Sequence, residues 1–200
     1  MNKKDVLIVC ALRKETQGQL TDWLGGNDWP IIYTGVGKVN ATYILTTHFG
    51  KYGSYIPYDL VINYGTAGSR KIKKKTLVDC TKFVQRDMDV TGLGFMRGET
   101  PFESELPLML ETKSPFNPIG RNATCGTGDC FVEDKTNYYG EVVDMEAYAL
   151  AKICYLRKVP FVSFKYITDG ADEQAHEDWE ANLADGIEVF KEKVLSEIKR

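Results

Sequence analysis

Two carboxylates that are far apart in the chain, Glu15 and Asp169, each follow a segment typical of a buried strand. Two carboxylates in different environments can hydrolyse a glycosidic bond, because one donates a proton to the leaving group and the other activates water. A carboxylate that follows a strand is usually a helix cap or a solvated side chain, and this explanation applies to each of the two taken alone. His48 and His176 lie in segments predicted as helix or surface loop, so the sequence does not predict a serine or cysteine triad.

Other candidate binding residues follow a predicted strand or begin a predicted helix. Residues 65–68 (GTAG) end a strand with glycines that let a ligand approach the backbone, although their spacing matches neither a Walker loop nor a dinucleotide fingerprint. Glu146 begins a helix, where it either complements the helix dipole or accepts hydrogen bonds from a ribose diol. Phe131 either stacks on a heterocycle or belongs to the core. The residues alone leave both alternatives open.

Strand-like runs alternate with helical patterns along the chain. Four runs rich in apolar and β-branched residues predict buried strands, and they begin at Asp5, Pro30, Tyr58 and Val159. Helical spacing predicts helices over residues 38–53, 144–158 and 177–200. This alternation predicts an α/β fold, a three-layer sandwich around a mixed central sheet, and we expect residues 1–200 to form a single domain.

The spacing of apolar side chains predicts the faces of these helices. The first helix places Val39, Tyr43 and His48 on one face. The last helix directs a longer row inward, namely Trp179, Leu183, Ile187, Phe190 and Val194. Residues 98–121 hold most of the prolines and are predicted to form a surface excursion with one short helix.

Composition excludes several classes of protein. A net charge of −3 argues against a dedicated nucleic-acid-binding protein, and we interpret the basic run at residues 70–75 as a solvated loop. No apolar stretch approaches the roughly twenty residues that span a bilayer. The five cysteines form no CxxC pair, so we expect no metal site and predict a reducing, cytoplasmic location.

Seven segments occur in an order that resembles the methylthioadenosine/S-adenosylhomocysteine nucleosidases, within the purine nucleoside phosphorylase superfamily. The segments are ALRKE from Ala11, TGVGKVNAT from Thr34, NYGTAGS from Asn63, DMDVTGLGFMRGETP from Asp87, GTGDCFV from Gly126, VDMEA from Val143 and KYITDGAD from Lys165. The resemblance covers most of the chain and implies a nucleoside phosphorylase-like fold. It also implies hydrolysis of a purine nucleoside without a metal or an organic cofactor.

The resemblance implies roles for individual residues. Glu15 would activate the attacking water, and Asp169, oriented by Thr168, would protonate the departing purine. The residues expected to bind the nucleoside are Val36, Thr66, Ala67, Gly68, Phe131, Val132, Met145, Glu146, Lys165, Thr168 and Trp179. A homodimer is also implied, in which a loop reaches the neighbouring subunit's pocket through Val90, Leu93, Phe95 and Pro101.

Three residues depart from the family pattern. Lys165 replaces an arginine near the water and ribose, Leu93 replaces an aromatic residue, and Trp179 replaces a phenylalanine. These changes leave open whether the substrate is a methylthioadenosine-like, a futalosine-type or a more general purine nucleoside. A phosphorylase that uses phosphate and a non-catalytic nucleoside-binding protein are the two alternatives in function.

Overall fold

A computed structural model of the chain describes residues 2–20, 29–135 and 138–198. In these ranges the strands are β1 (Val6–Cys10), β2 (Ile31–Tyr33), β3 (Leu60–Gly68), β4 (Leu77–Gln85), β5 (Leu110–Glu111), β6 (Ala123–Thr127), β7 (Val142–Asp144) and β8 (Phe161–Asp169). The α-helices are α1 (Lys38–Gly50), α2 (Ala147–Leu156), α3 (Ala175–Asn182) and α4 (Gly186–Lys193). No helix within these ranges combines the length and the apolar character that a membrane crossing requires.

The strands form a mixed sheet, as the sequence predicts. Strands β3 and β8 pair in parallel along most of their length, and β1 and then β2 extend the parallel arrangement beyond β3. Strand β4 pairs antiparallel with β8 and parallel with β6, and β7 pairs with both β6 and β3. The pairing therefore closes a ring through β3, β8, β4, β6 and β7, which the sequence did not predict.

Helices cover both faces of this sheet, which confirms the three-layer arrangement. Because neighbouring side chains of a strand point to opposite faces, Leu7 and Val9 pack in one apolar cluster while Ile8 packs in the other. The first cluster includes the buried residues of α1 and α2, and the second includes Ile187 and Phe190 of α4. Strands buried on both faces need the continuous apolar runs from which they were predicted.

The inward face of α1 differs from the face that apolar spacing suggests. Val39 and Tyr43 are 77% and 66% exposed, and the helix packs on the sheet through Ala41, Leu45 and Phe49. The helix carries apolar residues on two sides, so spacing alone does not decide which side faces the core.

Two predictions for the second half of the chain were wrong. The helix expected over residues 177–200 is interrupted, because α3 ends at Asn182 and α4 begins at Gly186, and residues 199–200 of this prediction lie outside the described ranges. Gly186 packs so closely on β8 that a Cβ atom there would lie 2.5 Å from Cγ of Tyr166. Residues 98–121 contain the short strand β5 and no helix.

Candidate active site

A cavity of about 220 Å³ opens where the carboxyl ends of β1, β3 and β8 meet. Ligand sites in α/β sheets form at this edge, because loops and helix ends converge there. The residues that line the cavity are Ala11, Leu12, Glu15, Val36, Thr66, Ala67, Gly68, Arg86, Cys130, Phe131, Val132, Val143, Asp144, Met145, Glu146, Asp169, His176 and Trp179. The fold therefore brings together most of the residues that the sequence predicts for the site.

Glu15 is held on a 3-10 turn, Arg13–Thr16, which follows β1. Its side chain is buried, and its Oε1 atom accepts hydrogen bonds from the backbone N–H of Thr66 at 2.8 Å and from the Thr66 hydroxyl at 3.0 Å. Its Oε2 atom accepts a bond from the backbone N–H of Leu12 at 3.0 Å. These donors compensate the burial of the carboxylate and fix its orientation toward the cavity.

Asp169 is the last residue of β8, and its carboxyl group is also buried. The Thr168 hydroxyl donates to its Oδ2 atom at 2.8 Å, and the N–H of Ala171 donates to its Oδ1 atom at 2.9 Å. Burial raises the pKa of Asp169 above its ordinary value, so its protonated form is stabilised. Glycine is required at position 68, since a Cβ atom there would lie 2.4 Å from Oδ1 of Asp169.

Glu146 also lines the cavity and lies between β7 and α2 in the chain. Its Oε1 atom accepts a hydrogen bond from the N–H of Gly37 at 2.8 Å, which joins the start of α1 to the cavity wall. Burial, together with the negative charge of Asp144, raises the pKa of Glu146 to about 8. Val36 and Met145 line the cavity beside it and provide apolar surface next to a polar group.

Lys165 lies behind the cavity wall and does not line the cavity. Its ammonium group forms a fully buried ion pair with Asp144, with Nζ 2.8 Å from Oδ2. Asp144 also accepts a hydrogen bond from the N–H of Ala147 at 2.8 Å, so it caps the start of α2. Lys165 thus supports the segment that carries Glu146.

The loop that follows β6 forms a further wall of the cavity. Phe131 is 41% exposed and lines the cavity, while Val132 beside it is buried. Arg86, which is not among the predicted site residues, is buried directly after β4 and donates to the backbone carbonyls of Gly128 and Cys130. A buried arginine has no recognisable spacing, and the only available signal was its position next to the segment that begins at Asp87.

The residues predicted for a partner subunit's pocket lie outside this cavity. Val90, Phe95 and Pro101 are partly exposed, and Leu93 is 75% exposed. Their loop is anchored at the cavity rim, because the Asp87 carboxylate accepts hydrogen bonds from Lys38 Nζ at 2.6 Å and from the N–H of Asp129 at 2.8 Å. Thr168 does not line the cavity either, but its hydroxyl donates a hydrogen bond to Asp169, which does line it.

Helix α3 contributes to the wall of the cavity. His176 and Trp179 of this helix line it, and the indole N–H of Trp179 donates to the Thr66 hydroxyl at 3.1 Å. The outer side of the helix is joined to the basic run by an ion pair between Lys74 and Asp178. One lysine of that run is therefore engaged with α3.

Comparison with known proteins agrees with this geometry. The family model described as the phosphorylase superfamily matches residues 13–199. The 5'-methylthioadenosine/S-adenosylhomocysteine nucleosidase of Baumannia cicadellinicola subsp. Homalodisca coagulata is 31% identical, with 80% of this chain and 76% of that protein covered. The nucleosidase of the same name from Exiguobacterium sp. is 32% identical, with 77% and 72% covered.

Solved structures share the fold at lower identity. A Helicobacter pylori 5'-methylthioadenosine/S-adenosylhomocysteine nucleosidase matches with a TM-score of 0.80 at 24% identity, and 98% of each chain is covered. The futalosine hydrolase of the same organism matches with a TM-score of 0.79 at 24% identity, with 96% of this chain and 97% of that chain covered. The sequence relatives and the matching family model together establish that this chain belongs to the 5'-methylthioadenosine/S-adenosylhomocysteine nucleosidase family of the phosphorylase superfamily.

Proposed function

We propose that this chain hydrolyses the N-glycosidic bond of a purine nucleoside and releases the free base. The preferred substrates are 5'-methylthioadenosine, S-adenosylhomocysteine or a related adenine nucleoside. The proposal depends above all on one observation, that Glu15 and Asp169 come from separate strand ends and line one cavity. Family membership supports the same activity, since relatives that are 31% and 32% identical carry the name of this nucleosidase.

Asp169 serves as the general acid. Burial raises its pKa, which favours the protonated form, and that proton passes to an imidazole-ring nitrogen of the purine. The bond between the base and the anomeric carbon then breaks, its electron pair leaves with the base, and the sugar acquires oxocarbenium character. Thr168 and the N–H of Ala171 hold the carboxyl group in place during the transfer.

Glu15 serves as the general base. It takes a proton from water as the oxygen of that water attacks the anomeric carbon, which yields the free sugar. General acid or base assistance contributes about 10²–10⁴-fold for each group. Because both carboxylates are oriented by donors within the chain, positioning and electrostatics contribute the remaining acceleration.

The other cavity residues bind the two parts of the nucleoside. Glu146 accepts hydrogen bonds from the ribose hydroxyls, while Met145 and Val36 pack against the sugar and its 5' substituent. Phe131 stacks on the base, and the backbone of Val132 binds its edge. Residues 66–68 form the wall beside the nucleoside, and the buried Lys165–Asp144 pair supports the ribose side.

Hydrolysis fits the cavity better than phosphorolysis. A phosphate nucleophile needs a cradle of cations and amides, whereas Glu15 would repel an anion at this place. Arg13 is close in sequence, but its guanidinium lies 4.5 Å from the centre of the Tyr33 ring and does not line the cavity. The nucleophile that suits Glu15 is therefore water.

Base release from purified protein tests the proposal. We would incubate the chain with 5'-methylthioadenosine, S-adenosylhomocysteine, adenosine and inosine, with and without phosphate, and measure the free base and the sugar product by chromatography. We expect adenine and the free sugar in phosphate-free buffer. Base release that depends on phosphate would indicate a phosphorylase, and absence of release from every nucleoside would indicate a binding protein.

We also propose that residues 1–200 act as one domain within a homodimer in the cytoplasm. The surface loop exposes Leu93 and Met96, and exposed apolar side chains close together are typical of an interface. In the dimer, Val90, Leu93, Phe95 and Pro101 would close the 5' side of the neighbouring subunit's cavity. The five cysteines are all free, which suits a reducing compartment.

A further inference from the structure

The indole N–H of Trp179 begins a chain of hydrogen bonds that ends on Glu15. Nε1 of Trp179 lies 3.1 Å from Oγ1 of Thr66, which in turn lies 3.0 Å from Oε1 of Glu15. We propose that Trp179 is a positioning residue for the hydrolysis, because it holds Glu15 through the Thr66 hydroxyl in the orientation that takes a proton from water. This inference rests on the proposed function.

The direction of this hydrogen-bond chain follows from its donors. An indole N–H can only donate, so Oγ1 of Thr66 must accept the bond from Trp179. The hydroxyl then donates its own hydrogen bond to Oε1 of Glu15, because a carboxylate oxygen can only accept. A hydroxyl that could otherwise rotate is held in one direction, and each bond polarises the next.

The same hydrogen bonds select the carboxylate oxygen that faces the water. Among the described residues, Oε1 of Glu15 accepts two hydrogen bonds, from the hydroxyl and the backbone N–H of Thr66. Oε2 accepts one bond, from the N–H of Leu12. Because each carboxylate oxygen has about two acceptor sites, Oε2 is the atom that still has room for a water proton.

Helix α3 holds the indole in place. Asn182 lies three residues after Trp179, on the same side of the helix, and its Nδ2 atom donates to the carbonyl of Thr168 at 2.9 Å. An ion pair between Asp178 and Lys74 fixes the helix from its outer side. The helix is therefore attached to the end of β8, which carries Asp169, and to the loop between β3 and β4, which carries Lys74.

Replacement of the indole by a benzene ring isolates the N–H group. Trp179→Phe keeps an aromatic ring against the cavity and removes the donor, so we expect kcat for 5'-methylthioadenosine to fall by about fivefold, as for the loss of one hydrogen bond. KM should stay within about twofold, because the interaction acts on the water and not on the nucleoside. Trp29→Phe is the matched control, since it removes a buried indole from the cluster beneath α4 and should keep the normal kcat.

A double-mutant cycle tests whether Trp179 acts through Thr66. Thr66→Val removes the hydroxyl and keeps the backbone N–H that binds Glu15, so Trp179→Phe should cause almost no further loss of kcat in this background. Thr66→Ala provides a second background if the valine variant is poorly folded by circular dichroism. Independent losses in both backgrounds would show that Trp179 acts by packing alone, which would overturn the inference.

The experiments separate this inference from the proposed function. A normal kcat in Trp179→Phe, measured on an unmodified chain that cleaves 5'-methylthioadenosine, would overturn the positioning role alone. Absence of cleavage by the unmodified chain would contradict both, since there would be no water activation for Trp179 to support.

Discussion

Two regions of the molecule differ in how far contacts within this chain meet the needs of their side chains. They are the cavity floor, which is formed by Glu15, Glu146 and Asp169, and the loop over residues 87–101. On the floor, the buried carboxyl groups of Glu15, Glu146 and Asp169 each accept a hydrogen bond from a backbone N–H group. In the loop, Leu93 and Met96 are 75% and 60% exposed.

This difference follows from what each kind of side chain requires. A buried carboxyl group needs donors at fixed positions, which the fold of one chain supplies. An apolar side chain needs only to be removed from water, and a second copy of the chain can do that as well. We therefore expect substitutions on the floor to change the chemistry and substitutions in the loop to change assembly and substrate fit.

The largest effect is expected from Asp169→Asn on the floor. The variant cannot donate a carboxyl proton to the purine, so kcat should fall by about 10²–10⁴-fold while the affinity for the nucleoside changes little. Steady-state kinetics and a binding titration with 5'-methylthioadenosine measure the two quantities. Asp172→Asn, three residues away, is the matched control. A near-normal kcat in Asp169→Asn would show that Asp169 is not the general acid.

A smaller effect on binding is expected from Glu146→Gln. At pH 9, where Glu146 is ionised in the folded protein, loss of the charged acceptor for the ribose hydroxyls should raise KM by about 10- to 100-fold, in the range for hydrogen bonds to charged groups. Glu180→Gln changes an exposed carboxylate on α3 and should leave KM unaltered. If both variants bind 5'-methylthioadenosine equally well, Glu146 does not hold the ribose.

Leu93→Glu tests whether the loop over residues 87–101 forms a dimer contact and closes the neighbouring subunit's cavity. A charge in a dimer contact should shift the protein toward a monomer in sedimentation velocity, and it should raise KM for 5'-methylthioadenosine by about 3- to 10-fold through lost apolar contact. The effect on adenosine, which lacks the methylthio group, should be weaker. Tyr55→Glu, at a similarly exposed side chain, is the control, and an active monomer with normal KM would contradict the proposed role of the loop.

A separate, pH-dependent effect on stability is expected from the ionisation of Glu146. Burial raises its pKa from 4.5 to about 8, so between these pH values the folded protein keeps a proton that the unfolded chain releases. The stabilisation from this proton is complete below pH 4.5 and is lost as the pH rises through about 8. Glu146→Gln does not ionise, so urea unfolding should show that the variant gains stability relative to the unmodified chain between pH 5 and pH 8. A difference that is independent of pH would contradict a buried, proton-binding Glu146.

Much of the site could be predicted because its residues follow recognisable strands in a recognisable order. The continuous apolar runs of β1, β3 and β8 identify strands buried on both faces, and parallel strands place their carboxyl ends at one edge. Glu15 and Asp169 were therefore expected to lie together, and both line the cavity. The predicted family and the mixed α/β fold are confirmed.

Strands β4 and β6 were missed because their sequences lack this signal. Strand β4 contains Asp79 and Lys82, and Asp79 is buried only because the N–H groups of Arg121 and Asn122 and the side chain of Asn117 donate to it. Strand β6 (ATCGT) has no large apolar residue. Donors that lie some forty residues away cannot be read from a local pattern.

The sequence by itself determined the family, the core strands and the two carboxylates, because these depend on local apolar runs and on the order of short motifs. The tertiary structure alone decided which face of α1 is buried, where the last helix breaks and that Arg86 lines the cavity. It also decided that Trp179 donates to Thr66, a contact between residues 113 positions apart. Such contacts depend on the packing of segments that are distant in the chain, so a pattern of neighbouring residues does not predict them.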